Sequence, residues 1–302
     1  MTRGADAHSR MPVVRVPVSR LPDNARERDD ILQDYVAERV PEAVRSGDNW
    51  EIQILPPPMA DYYIDPRLAE GLSWWSDFAE PTLVADIPFA VWRQSSAQVS
   101  LSDAWTIESW SRLLTARDHA VRPASLVVLH VDDHDDLMSP RLVTREGALV
   151  DLVTGKPVDL YRPATVAAAL KSGAIGMGSF IVPALASGRQ MQIRHLRKPT
   201  GRPGRPGRYH LIQANEPDTL LAPGESRPAV RITEPSHAKH DETAVGTYTL
   251  TETPHGWLDD LPADALILLH VDCDYFSNRY DGDSDWRSHS RSHDPRDSSK
   301  SV

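Results

Sequence analysis

Two hydrophobic segments, each followed at once by acidic residues, constrain the fold of this chain most strongly. Residues 125–136 read SLVVLHVDDHDD, and residues 266–274 read LILLHVDCD. Nearly continuous runs of Leu, Ile and Val are typical of strands that are covered on both faces in a parallel sheet. Because ligands bind beyond the carboxyl ends of parallel strands, we expect the two acidic ends to meet at one edge of the sheet and to form a site there.

The remaining segments indicate an α/β fold. Hydrophobic periodicity and punctuating Pro and Gly residues predict helices at 30–44, 100–120, 163–173 and 178–188, and strands at 49–58, 82–92, 124–131 and 264–271. Strands that alternate with helices favour layers of helices packed on a mainly parallel sheet. The basic segment 189–214 differs from its surroundings, and its two polar strands around PTGRPGRPGR predict a hairpin insertion.

The ends of the chain differ in composition from its middle. Residues 1–30 and 286–302 are polar and weakly patterned, so we expect a disordered lead and a disordered tail. Residues 31–285 then form one α/β domain, with the hairpin insertion near 189–214.

Charge, cysteine content and hydropathy exclude several classes of protein. The net charge of -10 over 302 residues argues against a nucleic-acid binder. The only cysteine, Cys273, excludes an internal disulfide and favours a reducing compartment. No apolar run reaches the ~18 residues of a membrane span. The sequence therefore predicts a cytoplasmic protein without nucleic-acid or membrane partners, and it does not indicate an oligomeric state.

The spacing of the acidic residues predicts a shared cation. Asp132, His134 and Asp136 follow one another at alternate positions, and Asp272 and Asp274 repeat this spacing. If the extended geometry of the strands continues, alternate side chains point the same way. Four carboxylates and one imidazole then converge, and such a group is stable only with a cation among them. Mixed oxygen and imidazole donors suit Mn²⁺, with Zn²⁺, Fe²⁺ or Co²⁺ as alternatives, in one or two positions.

Further residues are candidates for supporting roles. His130 and His270 lie two residues inside the two strands, where they either orient the carboxylates or form hydrogen bonds in the core. Asp281 and Asp283 follow the second motif, and they are candidates for contacts with a cationic substrate.

The two motifs together resemble a known family. VDDHDD is similar to the Asp-x-His-x-Asp signature of the arginase and ureohydrolase family, and HVDCDYF is similar to its later Asp-x-Asp signature. The longer wording LHVDDHDDL and LHVDCDYF, with MGSFIVPALASG between them, more closely resembles the UPF0489 branch, which includes peptide arginases. The resemblance spans roughly residues 80–285.

The resemblance implies a three-layer α/β/α fold and a two-manganese site. It implies that Asp132 and Asp272 bridge the ions, that Asp136 binds the first ion, and that His134 and Asp274 bind the second. It also implies that a metal-bound hydroxide cleaves a guanidinium group, with Asp136, His134 and Asp274 as catalytic residues. The implied substrate is peptidyl arginine, in a precursor peptide, which gives ornithine and urea.

Two departures from the family pattern keep another interpretation open. The family has a further histidine ligand after an earlier strand, but no histidine follows the strand at 82–92. The short segment after Asp274 also predicts a sheet that is incomplete at its C-terminal end. The alternative is a non-catalytic arginase-like pseudoenzyme or a metal-stabilised binding protein. Deacylation, a third possibility, usually requires paired histidines in a Gly-rich loop, which this sequence lacks.

Overall fold

The structure is a computed structural model that describes residues 11–36, 39–55, 89–94, 97–118, 125–188, 190–199, 205–237 and 243–276. Its strands are β1 (Val13–Pro17), β2 (Val40–Ser46), β3 (Asn49–Leu55), β4 (Val91–Gln94), β5 (Ala97–Ser100), β6 (Leu126–Val131), β7 (Leu142–Arg145), β8 (Ala148–Asp151), β9 (Pro157–Val158), β10 (Met191–Leu196), β11 (Gly207–Pro217), β12 (Ser226–Thr233), β13 (Ala244–Thr251) and β14 (Leu266–Val271). Its α-helices are α1 (Ala25–Val36), α2 (Thr106–Asp118), α3 (Pro163–Ser172), α4 (Val182–Ala186) and α5 (Pro254–Leu258).

A six-stranded sheet forms the centre of the fold, in the order β12-β11-β13-β10-β6-β14. Strands β13, β10, β6 and β14 are parallel, whereas β11 and β12 are antiparallel to their neighbours. The structure thus confirms the predicted α/β class and the mainly parallel sheet. The carboxyl ends of β10, β6 and β14 consequently lie side by side.

The two motif strands differ in their burial. All six residues of β6, which lies between β10 and β14, are buried. In β14 burial alternates, and Ile267, Leu269 and Val271 are exposed. The prediction of a strand that is covered on both faces is therefore confirmed for β6. It is wrong for β14, which packs only one face against the core.

The predicted hairpin at 189–214 is not formed. Strands β10 and β11 are separated in the sheet by β13, and β10 pairs in parallel with both β13 and β6. The antiparallel partners of β11 are β12 and β13. Local sequence correctly indicated two strands here, but their partners come from distant segments of the chain.

The N-terminal segment is more ordered than its composition suggested. Strands β1, β3 and β2 form a three-stranded antiparallel sheet, and α1 begins at Ala25. Val14 and Val16 are buried in a small core with Leu32 and Ile52. The prediction of a disordered lead through residue 30 is thus wrong from residue 13 onward, because β1 pairs with β3 and its two alternate valines join this core. Residues 1–10 and 286–302 lie outside the described residues.

The N-terminal unit is connected to the larger domain by buried polar contacts. The Tyr35 hydroxyl donates a hydrogen bond to Asp218 Oδ2 at 2.6 Å. The Arg141 guanidinium donates to the backbone oxygen of Tyr35 at 2.7 Å. These contacts satisfy polar groups that would be costly to bury alone.

Helices α2, α3 and α4 contribute to the main core, which also contains residues of β6, β10 and β14. The rings of Trp110 and Phe180 meet edge to face, with their centroids 5.9 Å apart. Helix α3 begins at Pro163 and ends before Gly173, which adopts a φ of 81° that favours glycine. Within the described ranges, no helix is both long enough and apolar enough to cross a membrane.

Candidate metal centre

Three adjacent parallel strands bring three histidines into one row. His195 of β10 and His270 of β14 are both paired in register with His130 of β6. The His130 ring centroid lies 4.6 Å from that of His195 and 5.0 Å from that of His270. All three side chains are buried. The row lies near the carboxyl ends of the strands, where the acidic residues follow.

The acidic segment after β6 turns at once, so its side chains do not alternate as in a strand. The backbone amide of His134 donates to Asp132 Oδ1 at 2.8 Å, and Asp136 has a positive φ of 52°. Asp132 and Asp136 are consequently both buried, at 1% and 4% exposure. Asp133 is also buried and lies 3.7 Å from the Lys198 ammonium. The prediction that extended geometry continues beyond β6, with alternate side chains pointing the same way, is therefore wrong.

Two overlapping groups of side chains can each hold a metal ion. The first contains His130, Asp132, Asp136 and His270, and the second contains Asp103, Asp132, His270 and Asp272. Within each group the potential donor atoms lie within 4.8 Å of one another. Asp132 and His270 belong to both groups. Because Asp132 follows β6 and Asp272 follows β14, the two strand ends do meet in one cluster.

Some of the predicted site residues belong to these two groups, and others do not. Asp132, Asp136 and Asp272 are brought together, and His130 and His270 belong to the cluster as potential donors themselves. His134 belongs to neither group: its side chain is 49% exposed, and its Nδ1 lies 3.5 Å from Asp132 Oδ1. Three further predicted positions are not described, namely the side chain of Asp274 and the whole of residues Asp281 and Asp283.

Sequence reasoning missed Asp103 and His195. Asp103 lies in a 3-10 helix, Asp103–Trp105, directly before α2. His195 lies in β10, which the sequence assigned to a hairpin. Neither residue is part of a local motif, and only the folded chain brings them to Asp132. A row of in-register histidines can be recognised only when the strand order is known.

The hydrogen bonds of His130 determine its tautomer. Its Nε2 lies 3.0 Å from the backbone oxygen of His134, which can only accept a hydrogen bond. The ring therefore donates through Nε2–H. Its Nδ1, 2.9 Å from Nδ1 of His270, accepts a hydrogen bond from that ring. Burial, followed by the neighbouring His195 and His270 rings, lowers the pKa of His130 well below its usual value, which favours this neutral form.

The pKa of the Asp136 carboxyl is shifted in the opposite direction to the pKa of His130. Burial raises the pKa of Asp136 well above its usual value, and the nearby carboxylates of Asp103 and Asp132 raise it further. Its Oδ2 is buried and has no hydrogen-bond donor in the part of the chain that the structure describes. A buried carboxylate oxygen that faces other carboxylates is costly unless it is protonated or bound to a cation.

The donor set fits a divalent metal ion. Carboxylate oxygens and neutral imidazoles are ligands of Mn²⁺, Fe²⁺, Co²⁺ and Zn²⁺ in proteins. The buried Asp136 oxygen is directed toward His130, whose Nε2 lies 3.8 Å away. The buried cluster of His130, Asp132, Asp136 and His270 is thus compatible with a metal site. The donor types by themselves do not distinguish among these ions.

A search of protein-family models and a search of curated proteins each found no match to this chain. The chemistry of the site is therefore inferred from its own residues.

Proposed function

We propose that this protein is a metal-dependent hydrolase of arginase-like type. In this proposal the sheet and its helices form a three-layer α/β/α fold, and the cluster at the strand ends is the active site. The substrate is a guanidinium group, most simply that of an arginine in a cytoplasmic precursor peptide. The observation that carries the proposal is the meeting of Asp132, Asp136 and Asp272 with two buried imidazoles, His130 and His270, in one cluster.

The residues of the first group would hold the ion. Asp132 Oδ2 lies 3.7 Å from His130 Nε2 and 3.9 Å from His270 Nδ1. An ion bound by either nitrogen would replace the proton that the nitrogen carries in its present hydrogen bond. The resemblance implies Mn²⁺, and mixed carboxylate and imidazole donors are compatible with this ion. When bound, such an ion supplies Lewis-acid activation of water at neutral pH.

Asp103 can be the ligand that the resemblance requires from the chain before β6. The resemblance requires a further ligand from the chain before β6, and no histidine follows the strand predicted at 82–92. The carboxylate of Asp103 lies within 4.8 Å of potential donors on Asp132, His270 and Asp272. A carboxylate from the segment just before α2 can therefore take the place of the expected histidine.

Acidic residues outside the metal groups suit a cationic substrate. Asp103, Asp132 and Asp272 would neutralise the charge of a bound ion, and Asp281 and Asp283 are the candidates to attract the guanidinium. In the reaction the oxygen of water adds to the guanidinium carbon. The bond from that carbon, Cζ, to Nε of the arginine then breaks, and Nε leaves as the δ-amino group of ornithine, with urea as the second product. The half-exposed imidazole of His134, next to Asp132, can donate the proton that this amine requires.

The test is urea release from an arginine-containing peptide after loading with Mn²⁺. The same peptide with citrulline, a neutral analogue, serves as the substrate control. Asp132→Asn should abolish urea release, whereas Asp135→Asn, one exposed carboxylate along the same loop, should retain it. A protein that binds Mn²⁺ but yields neither urea nor ornithine from arginine peptides would contradict the proposed activity.

A second candidate is a metal-stabilised binding protein without catalysis. It is favoured by the position of His134, which the resemblance implies as a ligand but which lies outside both groups. It is also favoured by the deep burial of His130 and Asp132, at 0% and 1% exposure, which limits access to the ion. For this candidate, Mn²⁺ should raise the melting temperature while no urea is formed.

A further inference from the structure

We infer that Tyr248 and His195 are positioning residues that hold Asp132 in the orientation required for metal binding. This inference rests on the proposed metal binding at the cluster, but not on the identity of the substrate. Neither residue belongs to the acidic motifs, and neither is a member of the two groups of potential donors.

The two residues connect β13 and β10 to the end of β6. The Nε2 atom of His195 lies 2.9 Å from the backbone oxygen of Asp132. The hydroxyl of Tyr248 is hydrogen-bonded to Nδ1 of the same imidazole. His195 is 1% exposed and Tyr248 is 3% exposed, so water does not compete strongly for either contact.

The direction of this chain of hydrogen bonds follows from its last acceptor. A backbone oxygen has no proton to donate, so His195 must donate through Nε2–H. A neutral imidazole that donates through Nε2 accepts through Nδ1, and the Tyr248 hydroxyl is therefore the donor. Burial raises the pKa of Tyr248 well above its usual value, which keeps this hydroxyl protonated.

The backbone of Asp132 is held on two sides as a result. Its amide donates to the backbone oxygen of Leu196 at 3.2 Å, and its own oxygen accepts from His195. With the backbone held and Oδ1 bonded to the His134 amide at 2.8 Å, Oδ2 is directed toward the imidazoles of His130 and His270. Loss of the Tyr248 hydroxyl removes the group that selects the His195 tautomer, so the Asp132 peptide can rotate.

The experiment compares metal binding in three variants with that of the wild-type chain. Tyr248→Phe and His195→Leu should each weaken Mn²⁺ binding by about 10–100-fold, the range typical of residues that orient metal ligands. His195→Gln should restore much of the affinity, because its amide nitrogen can donate to the Asp132 oxygen as Nε2–H does. Binding is measured by electron paramagnetic resonance of free Mn²⁺.

A matched control separates positioning from general stability. Tyr209 lies opposite Tyr248 on β11, and its hydroxyl donates to the backbone oxygen of Arg205. Tyr209→Phe also removes one tyrosine hydroxyl from the same sheet, but it should leave the Mn²⁺ affinity unchanged. The absorption spectrum of bound Co²⁺ should change in Tyr248→Phe and not in Tyr209→Phe, since this spectrum reports ligand geometry.

The outcomes distinguish this inference from the proposed function. If Tyr248→Phe retains the wild-type Mn²⁺ affinity and Co²⁺ spectrum, the positioning role is overturned while the metal site stands. An equal loss of Mn²⁺ affinity in Tyr209→Phe also overturns the positioning role, because the loss of either hydroxyl then acts through the stability of the fold. If the wild-type chain binds neither Mn²⁺ nor Co²⁺, the proposed function fails first and this inference fails with it.

Discussion

His130 and His270 are 140 residues apart in the chain, yet their Nδ1 atoms are 2.9 Å apart in the core. The two imidazoles occupy paired positions on neighbouring parallel strands, and their rings are inclined by only 19°. One ring donates to the other, and burial lowers the pKa of His130, which favours its neutral form. Both Nδ1 atoms are engaged in this hydrogen bond, so a divalent ion that uses either of them must displace the bond and the proton that it carries.

Metal affinity should rise with pH. Because the pKa of Asp136 is raised by burial and by Asp103 and Asp132, this carboxyl keeps its proton at pH values where an exposed aspartate is ionised. An ion must displace that proton, so Mn²⁺ affinity should increase as pH rises through the raised pKa and level off above it. Calorimetric titration in buffers of different ionisation enthalpy should show proton release, and Asp136→Asn should abolish the part that Asp136 contributes. A pH-independent affinity would contradict this account.

Asp136→Asn should also stabilise the metal-free protein at higher pH. A carboxyl whose pKa is raised on folding favours the folded state fully below its unfolded pKa, and this contribution is lost as pH rises to the folded value. The neutral amide of Asn does not incur this loss, and Asn tolerates the positive φ at this position. The variant should therefore exceed the wild type by about 1–3 kcal/mol at pH 8 and by much less at pH 4. Urea unfolding at both pH values, with Asp135→Asn as the control, measures this difference.

Asp103→Asn should weaken metal binding although Asp103 lies outside both sequence motifs. Its carboxylate is a potential donor with Asp132, His270 and Asp272, and an amide oxygen is a weaker ligand. We expect fewer ions per chain, or a weaker second binding step, in metal analysis by mass spectrometry after dialysis. Asp103→Glu keeps the carboxylate and should bind more metal than Asp103→Asn. Unchanged metal content in Asp103→Asn would remove this residue from the site.

Gly246→Ala should disrupt the pairing of β10 with β13. A Cβ at Gly246 would collide with the backbone oxygen of Met191, its partner in the parallel ladder. Because the obstacle is backbone, the strands must separate, at a cost of about 1–3 kcal/mol or more. Gly207→Ala, where the nearest atom of Tyr209 is 3.5 Å away, is the matched control and should have a small effect. The melting temperatures of the two variants should differ accordingly, and equal values would contradict the pairing.

Local patterns predicted much of the secondary structure. The apolar run of β6 and the Pro163 and Gly173 boundaries of α3 are set by neighbouring residues, and the structure contains both elements as predicted. Boundaries were less accurate where a short segment depends on a distant partner. Strand β1 is an example, because its two buried valines gain a core only when β3 lies beside them.

The sequence alone determined that two acidic segments follow two apolar strands, since both features lie in uninterrupted stretches around Asp132 and Asp272. Only the tertiary structure decided which other side chains join them. Asp103 enters from the turn before α2, and His195 enters because β10 lies next to β6. Strand order and register depend on contacts between residues far apart in the chain, and the spacing of residues within one segment carries no information about those contacts.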